Sequence, residues 1–175
     1  MRGKVLVAGI GNVFLGDDGF GVEVASRLAR EPLHDGVRVV DTGIRARDLA
    51  YELLDGGYDT AILIDAVSRG DAPGTVSLIE PVARNASGHL VTLAIDGHAM
   101  NPDTILSLLQ ALGGVSTRVW IVGCEPACIE EGIGLSAPVT AAVEDALALV
   151  HELLELPTRV GGSAEPLLRS PDTCV

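Results

Sequence analysis

No stretch of this sequence stays apolar for the roughly 18 residues that a membrane-spanning helix needs, so no helical membrane passage is expected. The opening MRGKVLVAGIG lacks the long apolar region and small-residue cleavage site of an export signal, which makes the cytoplasm the expected compartment. Basic residues are scarce: 12 Lys and Arg stand against 24 Asp and Glu, for a net charge of −12. Nucleic-acid binding needs cations gathered on one face to neutralise phosphates, and this balance argues against it. The acidity fits a basic partner, a cation, or solubility alone. Cysteines number three, Cys124, Cys128 and Cys174, an odd count with no paired framework, as expected of reduced thiols. A Cys-x-x-x-Cys pair without a second pair falls short of a zinc motif, so Cys124 and Cys128 read as structural. There is no Gly-x-Ser-x-Gly elbow, and no cysteine has an obvious histidine partner in sequence. The usual signs of a serine or cysteine nucleophile are therefore missing.

What is present is a folded chain. Hydrophobic residues make up 47%, too many for a disordered protein, and 175 residues favour one domain with a sizeable core. The domain is expected over residues 1–156. Residues 157–175, rich in Gly, Ser and Pro, are expected to form a mobile tail. Short apolar runs predict strands at Val5 to Ala8, Val37 to Val40, Thr60 to Ile64, Thr75 to Ile79 and Arg118 to Val122. Leu90 to Ile95 reads as a strand or an extended approach. Helical spacing predicts helices over Gly19 to Arg30, Asp48 to Leu54 and Pro138 to Leu156. Another starts at Asn101-Pro102-Asp103 and ends at Gly113-Gly114, with a cap, a first-turn proline and an acid beside the positive dipole end. Alternating strands and helices predict an α/β fold, a sandwich around a mostly parallel sheet. Between Ile64 and Thr75 there are too few residues for a helical crossover. The fourth strand is therefore expected to run antiparallel to its neighbour, making the sheet mixed.

In open α/β sheets, ligands bind outside the carboxyl ends of the strands. Asp17 and Asp18 follow the first strand, Asp41 ends the second, Asp65 ends the third, and Glu125 follows the last. His98 precedes the Pro102 helix. Together these would make an acidic crevice bearing one imidazole. One acid suffices to cap the first helix, so Asp17 is assigned to capping and Asp18 to function. Asp65 ends the apolar run AILID, where a charge costs free energy unless it is paired or bound. Asp41 suits either function or pinning of the loop Thr42-Gly43-Ile44, and Glu125 beside Pro126 reads as structural. His34, His89 and His151 have no such company. Ser136 reads as the cap of the last helix. Two carboxylates and an imidazole suit a divalent transition ion with open positions, without choosing among nickel, zinc and manganese.

Gly9-Ile10-Gly11 after the first strand invites a dinucleotide-binding reading, with Asp41 as the ribose acid. The third glycine is missing, because Phe14 stands in its place. A pyrophosphate would also meet Asp17 and Asp18 at the helix start, and two carboxylates outweigh the half-charge of a helix dipole.

Gly9-Ile10-Gly11-Asn12 and Gly16-Asp17-Asp18-Gly19-Phe20-Gly21 resemble the opening motif of the [NiFe]-hydrogenase maturation endopeptidases. Asp41-Thr42-Gly43, Asp65-Ala66, His98, Gly123-Cys124-Glu125-Pro126 and Gly132-Ile133-Gly134-Leu135-Ser136 resemble the family's later motifs, so the likeness runs from Val5 to Leu154. It implies three layers, with a twisted sheet between helices. It also implies an endopeptidase that cuts a C-terminal extension from the hydrogenase large-subunit precursor once nickel has been inserted. Asp18, Asp65 and His98 take the metal-contacting positions, and Asp41 matches an acid linked to substrate processing or selection. Thr42 departs from the pattern, standing where glycine is common. Nickel is then carried by the substrate, and no tightly bound metal is expected in the free enzyme. A non-catalytic nickel-binding chaperone and a nucleotide-dependent enzyme are the alternatives.

Overall fold

The computed structural model describes residues 3–80, 82–84, 90–92 and 117–156. Five strands form the main sheet: β1 (Val5–Ile10), β2 (Val37–Gly43), β3 (Thr60–Ala66), β4 (Val76–Ile79) and β7 (Arg118–Cys124), in the order β2-β1-β3-β7-β4. A separate two-stranded ribbon pairs β5 (Val82–Arg84) with β6 (Leu90–Thr92), antiparallel. The helices are α1 (Phe20–Leu28), α2 (Ala46–Asp55) and α3 (Ala137–Glu155). A 3-10 turn, Gly16–Gly19, leads into α1.

The strand pattern explains the layering. β1 and all of β3 except Ala66 are buried, as central strands covered on both faces must be. Side chains alternate faces along a strand. Val5 and Val7 accordingly join Phe20, Val24 and Leu28 of α1 and the apolar stripe of α3 in one core. Leu6, Ala8 and Ile10 point the other way and meet Leu49, Ala50 and Leu53 of α2. The expected α/β fold with a mostly parallel, mixed sheet between helices is what the chain adopts.

β1 pairs in parallel with β2 on one side and β3 on the other, and β3 pairs in parallel with β7. β4 is the antiparallel strand, but its partner is β7, so β7 separates it from β3. The short connection after β3 thus spans one strand rather than making a hairpin. Several strands outrun their apolar cores: β2 continues to Gly43, β3 to Ala66 and β7 to Cys124. Asp41 and Asp65 are therefore ladder residues, and neither is a loop residue. The Asn101 helix, His98 and residues 157–175 lie outside the described residues.

The chain leaves β1 toward β2, then returns to place β3 on the other side of β1. That reversal opens a crevice at the carboxyl ends of β1 and β3, the position where such sheets bind ligands.

Candidate active site

Close backbone packing builds the crevice. Gly21, in the first turn of α1, lies against the ends of β1 and β3: a Cβ there would overlap the carbonyl oxygens of Ile64 and Ile10. Gly11 follows β1 with φ +124°, a left-handed conformation that favours glycine. A Cβ on Gly11 would run into the Asp18 carbonyl oxygen and come 3.7 Å from Asp65 Oδ1. These two glycines let the acidic turn settle beside β3, bringing Asp18 and Asp65 together from sequence positions far apart.

Asp18 is oriented by the chain it faces, since its Oδ2 accepts the Asn12 backbone N–H at 2.7 Å. Asp65 is only 2% exposed and, among the described residues, accepts one hydrogen bond, from the Ala66 N–H to Oδ1 at 2.9 Å. Burial pushes its carboxyl well above the usual range, the Asp18 charge pushes it further, and the Ala66 bond offsets only part. A buried acid with a raised pKa beside a second carboxylate marks a candidate functional site. Asp41 lies on the other side of β1, paired in register with Gly9. It is exposed, and its loop is tied to the crevice where the Gly11 N–H donates to the Gly43 carbonyl at 3.1 Å. Among the described residues no three of His, Cys, Asp and Glu gather as a metal-ligand set. Two of the three expected ligands, Asp18 and Asp65, are neighbours, and His98 lies outside those residues.

Asp17 corrects one expectation, and Ser136 meets another with an added role. Ser136 stands at the N-cap position of α3, as expected, whereas Asp17 caps neither the 3-10 turn nor α1. Its buried carboxylate accepts the backbone N–H groups of Ala127 (2.8 Å), Cys128 (3.0 Å) and Ser136 (2.6 Å), and the Ser136 hydroxyl (2.9 Å). The Ser136 hydroxyl, spent on Asp17, makes no cap bond to α3. Burial raises the Asp17 carboxyl, but the bonds from Ser136, Cys128 and Ala127 outweigh it and leave the acid below its ordinary value. The acidic turn and the loop after β7 are further joined through Gly16 N–H to the Gly132 carbonyl (3.0 Å) and Gly132 N–H to the Phe14 carbonyl (2.9 Å).

Glu125 is structural, as expected: it is buried and accepts the Arg69 N–H at 2.6 Å. The Cys124 thiol is buried and pushed up to about 11, by burial and then by Asp17 and Glu125, which fits a structural cysteine. Cys128 is exposed, and its thiol is also raised. His151 pairs with Glu31 at 2.7 Å, where α3 meets the end of α1.

Comparison with known proteins agrees with this arrangement. The family model of the hydrogenase maturation protease HycI matches residues 22–153. The hydrogenase 2 maturation protease of Escherichia coli is 33% identical over 149 residues, covering 84% of this chain and 88% of that protein. The hydrogenase expression/formation protein HupM of Azotobacter chroococcum is 33% identical over 172 residues, covering 94% and 79%. Among solved structures, the hydrogenase maturating endopeptidase HybD from E. coli superposes with a TM-score of 0.70 at 29% identity, covering 86% of this chain and 91% of that one. The chaperone and nucleotide-enzyme alternatives give way to a peptidase. With a family model across most of the domain and relatives matched over most of their lengths, the chain belongs to the hydrogenase maturation proteases.

Proposed function

We propose that in the cytoplasm this peptidase removes the C-terminal extension of a [NiFe]-hydrogenase large-subunit precursor after nickel insertion. Nickel carried by the precursor is read by Asp18, Asp65 and His98. The observation that carries the reading is the Asp18–Asp65 pair at the crevice, where a buried acid sits beside a second carboxylate and takes the Ala66 N–H. A cation docked there relieves the repulsion between the two carboxylates and favours the ionised form of Asp65. A precursor without nickel brings nothing to offset that cost, so discrimination is built into the charge balance.

Docking through the metal holds the scissile peptide in place, and positioning alone supplies a large part of such a rate. Water adds to the scissile carbonyl carbon, with nickel or a carboxylate assisting the attack. The carbon–nitrogen bond then breaks, and the leaving amine takes a proton. Asp41, across β1 on the same rim, contributes to selection or processing of the substrate.

The test is intact-mass measurement of a precursor incubated with the protein, with and without inserted nickel. Loss of a C-terminal peptide only from nickel-loaded precursor is expected. Asp18→Asn and His98→Ala should abolish that loss, and full cleavage by both variants would overturn the assignment.

A further inference from the structure

Two loops bordering the crevice expose apolar side chains while their backbones are fastened. Phe14 is 64% exposed and Ile133 is 84% exposed, with Val13 and Ile129 also exposed. Exposure of this kind is ordinary on a fraying loop, but these loops do not fray freely. Leu15 and Gly132 form a parallel bridge, the Asp17 N–H donates to the Cys128 carbonyl at 3.1 Å, and the Asp17 carboxylate holds Ala127, Cys128 and Ser136. A neighbouring cluster of apolar side chains held rigidly in water marks an interaction surface.

The two loops themselves are acidic. Residues 11–19 and 125–136 contain no Lys or Arg. The second loop adds exposed Glu130 and Glu131 to the acids of the first. The Asn12 backbone N–H that holds Asp18 belongs to the same turn that carries Phe14, so surface and crevice are continuous.

We propose that Val13, Phe14, Ile129 and Ile133, bordered by Glu130 and Glu131, form the docking surface for an apolar peptide segment of the precursor that carries a basic side chain. This inference rests on the proposed function and names the part of the substrate the enzyme grips apart from nickel. The apolar side chains take the apolar residues, and the glutamates select the positive charge and disfavour acidic segments. The fastened backbone lowers the ordering cost of binding.

The experiment measures cleavage of nickel-loaded precursor by the full chain, comparing wild type with Phe14→Ser/Ile133→Ser and with Glu130→Lys/Glu131→Lys. Burying one large apolar side chain contributes about 1.5–3 kcal/mol, which corresponds to about 10- to 100-fold in affinity. The apolar double variant should therefore raise KM by at least about tenfold with kcat little changed, the signature of lost uniform binding. The charge reversal should raise KM as well, and the more so at low ionic strength. Because all four positions are exposed, the melting temperature should stay at the wild-type value. Wild-type KM in both variants would overturn the inference. So would a wild-type dimer that the apolar variant dissociates, since a second copy would then be the occupant. If wild type binds a precursor but never cuts it, while both variants weaken that binding, the surface stands and the proposed cleavage falls.

Discussion

Replacing Asp65 with Asn should make this protein more stable and less active, and the gain should depend on pH. Asp65 is enclosed at the end of β3 with Asp18 beside it. At neutral pH it must either ionise in that setting or retain a proton against the solvent, and both cost free energy. Asn is nearly isosteric, carries no charge and keeps an Oδ1 acceptor for the Ala66 N–H. Each unit by which a folded-state pKa stands above its unfolded value is worth about 1.4 kcal/mol once pH exceeds both. The free energy of enclosing a polar group with too few partners, about 1–3 kcal/mol, sets the scale of the expected gain. For a domain this size that is roughly 3–10 °C in melting temperature. The sign follows from proton binding: the unfolded carboxyl releases its proton near 3.8 and the folded one only at higher pH. Wild-type stability is thus fullest below that value and falls as pH rises through the folded-state pKa. The difference between Asp65→Asn and wild type should be small near pH 4 and largest near pH 8. Urea unfolding followed through Trp120, the single tryptophan, measures it. The m-value should stay unchanged. A variant that is destabilised at every pH, or a difference that ignores pH, would refute the account of a strained acid.

Asp17 behaves in the opposite sense. Its lowered pKa gives stability that is present above about 3.8 and lost as pH falls through the folded value. Asp17→Ala removes the acceptor of three part-buried backbone N–H groups and the Ser136 hydroxyl and should cost about 2–4 kcal/mol, and Ser136→Ala, losing one hydroxyl bond, about 1 kcal/mol; denaturant titration ranks them. Gly21→Ala forces α1 off β1 and β3, which should cost about 2–4 kcal/mol, with precursor cleavage falling further than the lost stability explains. In the cleavage assay, Asp18→Asn should lose activity without a lowered melting temperature, because Asn keeps an oxygen for the Asn12 N–H and removes a charge beside Asp65.

The strands were legible because β1 and β3 are buried on both faces and therefore read as unbroken apolar runs. That Asp18 and Asp65 would meet was legible because both lie at or beyond the carboxyl ends of neighbouring strands. An edge strand opposed to the rest was legible from the short connection before β4. That β7 is its partner was not, because strand order is settled by pairing between segments some forty residues apart. The roles of Asp17 and Ser136 were hidden for the same reason. An acid before a helix and a serine before another each satisfy the local rule for a cap, and only the fold reveals that they bond to one another across 119 residues.

That link has a consequence for how the enzyme comes into being. The Asp17 carboxylate takes its donors from residues 110, 111 and 119 positions later, so in a chain emerging from the ribosome it stays hydrated, and the turn beside it unfastened, until the loop after β7 is made. Contacts of such sequence separation form late. Proteolytic competence therefore arrives with the last third of the domain, and a partially synthesised chain has no finished crevice with which to cut its neighbours.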